Sequence, residues 1–261
     1  MKLLRIYFIF NLFSFELFAA LKIYLGPDSF YRSFREIVYA EGKSEEHGWL
    51  FGFQTGLEFS KLRGPYAGAH LRWAEGTSQF DGTVHNLLLD KFAAFASQTK
   101  NTFLEAKAEL GYWLGSKQLQ ICPIGVFGWQ GWMREAKNRT FGYDEREHWC
   151  DLGLGLRLCW NVSHCWSLGL SFEAMRTKLS DIQIKGLYSW PIILSLENTW
   201  QMETELPIRY KKGPYEISWV GYFRYLPIGK SEVQRTSRGE IFVPQSIMLI
   251  LGSRLEFAYL F

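Results

Sequence analysis

The chain has 261 residues, of which 48% are hydrophobic and 17% aromatic, and its formal net charge is only +3. A charge this small, with no basic tract longer than Lys211-Lys212, argues against a nucleic-acid partner. The mean hydropathy of -0.10 indicates that polar and apolar residues are finely interleaved, which argues against helical membrane spans.

Residues 1–20 have the organisation of a cleaved export signal. Lys2 and Arg5 form a positively charged start, an apolar segment follows, and two alanines at the end offer a cleavage site. We therefore expect a signal peptide over 1–20 and a single domain over 21–261. The alternative is an N-terminal anchor helix, but the apolar stretch contains Glu16 and is shorter than the ~20 residues that a membrane span needs.

Alternating polar and apolar residues predict about ten β-strands in the rest of the chain, because successive strand side chains point to opposite faces. The predicted strands cover 30–40, 49–60, 66–74, 103–114, 119–133, 149–160, 166–176, 194–210, 215–226 and 246–261. Residues 21–29 are predicted to be an irregular lead, and 86–96 a helical turn or two within a loop.

The predicted connections alternate in length along the chain. Medium or long loops are expected near 41–47, 75–102, 134–147, 178–193 and 227–245. Short turns are expected near 61–65, 115–118, 161–164 and 211–214. This alternation places every long loop at one end of an antiparallel sheet, which a β-sandwich gives no reason to expect.

The last predicted strand carries Leu255, Phe257, Tyr259 and Phe261 on one face, and the chain stops on the phenylalanine. This ending resembles the C-terminal strand of bacterial outer-membrane β-barrel proteins. The resemblance implies a closed antiparallel transmembrane β-barrel of about ten strands, with eight or twelve as alternatives, short periplasmic turns and long outer loops. It also implies a Gram-negative cell outer membrane, contact with membrane lipids, and recognition of these four residues by the barrel-assembly machinery.

The orientation of the two strand faces follows from this fold. In lipid the apolar face must point outward, and only a closed sheet leaves no unpaired backbone edge. The polar face would then line the lumen with Glu58, His70, Arg72, Glu105, Lys107, Glu109, Asp151, Arg157, Glu173, Glu197, Glu203, Glu216, Arg224, Arg254 and Glu256. Their mixed signs predict an internal ion-pair network that plugs the lumen, with an ion-selective lining as the alternative. A soluble secreted β-sandwich would use the same alternation with its faces reversed.

Four cysteines lie in a chain that we expect to be exported, and none has the close spacing of a metal site. Cys159 and Cys165 flank a short turn, and alternation places both on the polar face. A disulfide across this hairpin is one expectation for an oxidising compartment. The alternative is that they behave as small apolar residues without a bond between them.

The sequence contains no nucleophile elbow, HExxH motif or phosphate-binding loop. We therefore expect a non-enzymatic surface or structural protein or a narrow, porin-like channel, without cofactor or metal, that meets an extracellular or host ligand through its outer loops. The alternative is a rim protease or lipid hydrolase. Ten-stranded barrel proteases resemble this chain in architecture, and the acids and histidines available for such a rim site are Asp81, His85, Asp90, Asp144 and His148.

Overall fold

The computed structural model describes residues 20–37, 44–61, 63–86, 91–137, 142–186, 191–236 and 239–261. The predicted signal peptide, apart from Ala20, therefore lies outside the described residues. The strands within them are β1 (Ala20–Glu36), β2 (Ser44–Ser60), β3 (Gly64–Asn86), β4 (Lys91–Gly115), β5 (Leu119–Lys137), β6 (Gly142–Asn161), β7 (Trp166–Lys185), β8 (Ile192–Ser195), β9 (Trp200–Lys212), β10 (Tyr215–Ile228), β11 (Gln234–Thr236), β12 (Gly239–Ile241) and β13 (Ser246–Leu260). No helix that could cross a membrane is found among the described residues.

Ten strands close into one antiparallel barrel, as predicted. Each barrel strand pairs with its neighbours in the chain, and β1 pairs with β13, where Lys22 lies opposite Leu260. β8 pairs with the far part of β7 and continues the line of β9, while β11 and β12 form a small separate hairpin. The alternative of a β-sandwich is wrong, because the ten barrel strands form one closed sheet rather than two sheets packed face to face.

The two ends of the barrel differ in their connections. The turn end carries the short connections after β2, β4, β6 and β9, together with Ala20 and Phe261. The loop end carries the other connections, of which 229–245 contains β11 and β12. From this last connection, Ile241 and Val243 pack against the buried apolar residues inside the barrel. The connection therefore folds back over the loop end of the lumen.

The outer surface carries a belt of exposed apolar side chains. It includes Ile23, Leu25, Phe51, Phe53, Leu71, Leu110, Phe127, Leu152, Leu154, Phe172, Leu206, Trp219, Phe223, Leu251 and Phe257. On β1 and β2 the belt ends near Tyr31 and Trp49, beyond which Arg35 and His47 face outward. An apolar belt bounded by aromatic residues fits a bilayer core and its interface.

Several local predictions are wrong, among them the loop predicted over 134–147, which is mostly paired β5 and β6, with Arg134 opposite Glu145. Residues 21–29 belong to β1 rather than to an irregular lead, and 75–102 is mostly the paired continuation of β3 and β4 rather than a loop with a helical piece. The 75–102 hairpin rises beyond the apolar belt, where neither face needs to be apolar. The alternation that marks a strand in the sequence is therefore missing there.

Candidate functional site

From the turn end to the loop end, the lumen consists of four successive layers. A vestibule of about 390 Å³ at the turn end is followed by a network of buried charges, which encloses a cavity of only about 20 Å³. A layer of apolar side chains lies beyond the network, and a second polar group of residues lies under the loop end. A cavity of this size holds about one water molecule.

The central network, as we call the buried charges at mid-height, joins opposite walls of the barrel. Lys107 Nζ lies 2.9 Å from Glu173 Oε2 and 2.7 Å from Glu203 Oε2. Arg224 pairs with the same Glu203 at 2.8 Å and donates two hydrogen bonds to Glu105. These ion pairs cross the lumen from β4 to β7, β9 and β10. A solute would have to break them to pass.

A second part of the central network holds β1 against its neighbours. Arg72 Nε lies 2.5 Å from Asp28 Oδ2, and the Tyr222 hydroxyl donates to Asp28 Oδ1 at 2.7 Å. The Arg72 guanidinium also lies over the Tyr222 ring, 4.4 Å from its centroid. Sequence reasoning missed Asp28, because it placed this residue in an irregular lead.

The apolar layer closes the lumen above the network. Its members are Phe30, Leu50, Ala74, Phe103, Trp132, Trp149, Leu226, Met248 and Ile250, all buried. Phe103 packs edge-on against Phe30 and at a tilt against Trp132, with ring centroids 6.0 and 5.1 Å apart. These side chains come from β1 to β6, β10 and β13, so the seal spans the barrel.

The outer polar cluster lies under the loop end, beyond the level where the belt ends. It consists of Arg32, Glu46, Ser78, Asn101, Arg134, Glu145 and Glu147. Arg32 donates to Glu46 Oε1 at 2.7 Å and to the side-chain amide oxygen Oδ1 of Asn101 at 2.8 Å. Arg134 binds both Glu46 and Glu145. Sequence reasoning missed this cluster because the prediction assigned six of its seven residues to loops.

Two carboxyl groups in the outer polar cluster have opposite titration behaviour. Burial raises the pKa of Glu46, but the Arg134 and Arg32 guanidinium groups outweigh it and hold that pKa well below its usual value. Burial raises the pKa of Glu147 to about 7, and the arginines compensate only in part. Glu147 Oε2 is buried and accepts no hydrogen bond from any described residue. A proton on Glu147 near neutral pH follows from this environment.

The predicted lumen residues point inward, with one exception. Glu58, His70, Arg72, Glu105, Lys107, Glu109, Asp151, Arg157, Glu173, Glu203, Glu216, Arg224, Arg254 and Glu256 are buried or half-buried inside the barrel. Glu197 is the correction, because its side chain is exposed and faces Lys230 at 3.7 Å. The strand predicted over 194–210 is interrupted between β8 and β9, so alternation from β9 does not reach Glu197.

The predicted disulfide is not formed, since Cys159 and Cys165 are both free. Cys159 is buried and pairs across the hairpin with Gly169, whereas Cys165 lies in the turn and is exposed. The strand register thus places Cys165 beyond the end of the ladder rather than opposite Cys159.

The rim residues proposed for an enzyme do not form one group. Asp81 lies on β3, while Asp144 and His148 lie on β6, with β4 and β5 between them. His148 stacks on Trp129 at 6.0 Å, and its Nδ1 atom has no hydrogen-bond partner among the described residues. The side chains of His85 and Asp90 lie outside the described part of the structure. Where side chains are described, no three His, Cys, Asp or Glu residues could share a metal ion.

Comparison with solved structures finds the same kind of fold. The chain is similar to the outer membrane protease OmpT from Escherichia coli, with a TM-score of 0.66 and 9% identity over 93% of this chain and 96% of that one. It also matches the outer membrane protein OprG from Pseudomonas aeruginosa (TM-score 0.40, 11% identity, 93% and 96% covered) and the Ralstonia pickettii toluene transporter TbuX (0.41, 9%, 92% and 89%). No family model and no curated protein matches the chain. At 9% identity the likeness to OmpT shows the fold alone, a closed antiparallel β-barrel.

Proposed function

We propose that this chain is an integral outer-membrane β-barrel that acts as a non-enzymatic surface protein through its loop end. The belt of exposed apolar residues supports insertion in a bilayer, because such a surface would aggregate in water. In a bacterial outer membrane the short turns would face the periplasm and the long loops the cell exterior. Extracellular or host ligands would then meet the loops.

The sealed lumen is the observation that favours a surface protein over a channel. The central network and the apolar layer block the barrel at two successive levels, and the cavity between the network side chains is about 20 Å³. Each seal is built from side chains on strands rather than on a movable loop. Opening the lumen would require breaking buried ion pairs and separating packed aromatic rings.

Two measurements test this proposal. In outer-membrane fractions, the folded protein should migrate differently in SDS gels before and after boiling, as closed barrels do. In planar bilayers, the wild-type protein should give no unitary current steps. A triple variant, F103S with E105S and R224S, removes side chains from both seals and should conduct, which shows that the assay detects an opened lumen. Wild-type steps as large as those of the triple variant would contradict a sealed barrel.

The non-enzymatic part of the proposal has its own test. The described rim acids and His148 are separated on the barrel wall, so we expect no cleavage of peptides or phospholipid esters by the purified protein. Turnover by the wild-type protein and by Asp144→Asn, but not by His148→Ala, would overturn this part of the proposal. It would leave the proposal of a sealed barrel unaffected.

A further inference from the structure

The vestibule at the turn end has the dimensions of a binding site. Its volume of about 390 Å³ lies within the ~300–1,000 Å³ that small-molecule sites occupy. It is lined at its mouth by Ala20, Lys61 and Cys165, and it ends at the central network, where only about 20 Å³ remains. The vestibule is therefore a pocket with one entrance.

The acidic side chains of the vestibule wall are already paired. Lys22 Nζ lies 3.3 Å from Glu58 Oε2 and 3.0 Å from Glu216 Oε1. Arg254 Nη1 lies 2.8 Å from Glu205 Oε1. These carboxylates have their cations within the protein and leave little negative charge to attract a cationic ligand.

Three further basic side chains line the same wall, Arg209, Lys61 and Lys211, and none of them lies within 4.0 Å of a carboxylate that the structure describes. Arg209 interacts at longer range with Glu216 and Glu58, which Lys22 already neutralises. The Arg209 guanidinium makes one weak contact, from Nη1 to Cys159 Sγ at 3.8 Å. Its planar donors are suited to hold a carboxylate or phosphate with two hydrogen bonds.

One side of the vestibule wall offers an aromatic surface. Trp113 lies on the inner face of β4, and Pro207 lies on the inner face of β9. Trp113 is held edge-on against Tyr66, with ring centroids 6.1 Å apart. A pocket that combines an excess of cations with an aromatic side chain fits a ligand that has an anionic group on an apolar body.

We propose that the vestibule binds a small organic anion, with its carboxylate on Arg209 and its apolar body against Trp113 and Pro207. In the orientation of the proposed function this ligand arrives from the periplasm. The binding itself depends only on the turn end of the folded barrel, so it is tested apart from the cellular location.

The test uses the purified full-length barrel in a non-ionic detergent and 1-naphthoate as the probe, followed by calorimetry and by quenching of tryptophan fluorescence. We expect one saturable site per barrel, and binding of the neutral 1-naphthamide at least about tenfold weaker, since a hydrogen bond to a charged group is lost. Arg209→Gln should weaken naphthoate binding about tenfold for the same reason. Lys212→Gln removes the same charge from the neighbouring turn but does not line the vestibule, and it should bind like wild type.

A second variant and a second readout protect the test against a folding defect. If Arg209→Gln does not give a heat-modifiable folded barrel, the double variant K61Q and K211Q should show weaker binding than Lys212→Gln. Bound naphthoate should also slow the alkylation of Cys159, measured by mass spectrometry of its peptide. Absence of saturable binding to wild type, equal binding of naphthamide, or unchanged binding in both variants would each overturn the proposal.

Discussion

The Lys107 ammonium lies 2.7 Å from the Glu203 carboxylate and joins β4 to β9 through the middle of the barrel. The same ammonium also neutralises Glu173 at 2.9 Å, so one lysine serves two buried acids. Such an arrangement costs desolvation when it forms, and it becomes far more costly when one partner is removed. The network therefore restricts which substitutions the lumen tolerates.

Lys107→Met should destabilise the folded barrel by about 3–5 kcal/mol, because it leaves the buried Glu173 without its cation and removes one of the two cations of Glu203. Urea unfolding in lipid vesicles, followed by the heat-modifiable gel band, measures the change. Lys100→Met is the matched control, since Lys100 is on the same strand but exposed, and its cost should be close to zero. Equal midpoints for the two variants would show that the network does not stabilise the barrel.

Glu147 should make the barrel less stable as pH rises. Its pKa is raised by burial from a usual value of 4.5 to about 7, so the folded state keeps a proton that the unfolded state releases. Both states are protonated below pH 4.5, and the free energy of unfolding then falls by up to about 3 kcal/mol as pH increases through 7.

The variant Glu147→Gln should reduce this slope and raise the urea midpoint above pH 7. Some slope should remain from Glu145, whose pKa burial also raises. Asp144→Asn on the same strand is exposed and serves as the control, with a slope like that of wild type. A wild-type midpoint that stays constant between pH 4 and pH 8 would contradict the assignment of this proton.

The sequence predicted most strand segments within the apolar belt, apart from the start of β1, and it missed the segments beyond the belt. Within the belt, alternation placed Glu105, Lys107 and Arg224 on the inner face, because the outer face there must be apolar. Beyond the belt both faces are polar, so Arg32 and Glu46 gave no periodic signal and were assigned to a poor strand and a loop. The partners of each charge, such as Lys107 with Glu203, depend on the closure of the barrel and cannot be obtained from spacing along one strand.

Some details could have been obtained from the sequence with a different assumption. Continuing the alternation of Phe30 toward the N-terminus reaches Asp28 and Lys22 on the same inner face. Gly26 and Pro27 argued against extending the strand this far, because glycine and proline are common in turns. The break between β8 and β9 near Glu197, by contrast, cannot be recognised in the sequence, because polar and apolar residues alternate on both sides of it.

Gly26 should be required for the contact between the first and last strands. A Cβ atom at this position would lie 1.6 Å from the Leu255 carbonyl oxygen, which is backbone and cannot turn away. Gly26→Ala should therefore reduce the yield of heat-modifiable barrel. Gly125→Ala is the matched control, because its Cβ would meet nothing closer than 3.9 Å, and it should fold like wild type. Equal yields would show that β1 and β13 can shift to make room.

Leu154 tests the outward orientation of the belt directly. Its side chain is 75% exposed among other belt residues on β6, so Leu154→Arg should cost about 2–4 kcal/mol in a bilayer, where the charge loses its water. Leu179 is 81% exposed but lies next to Lys178 toward the loop end, and Leu179→Arg should cost about 0–1 kcal/mol. Unfolding free energies in vesicles give the two values. A soluble barrel would tolerate arginine equally at both exposed positions, so the difference between the two variants reports the membrane itself.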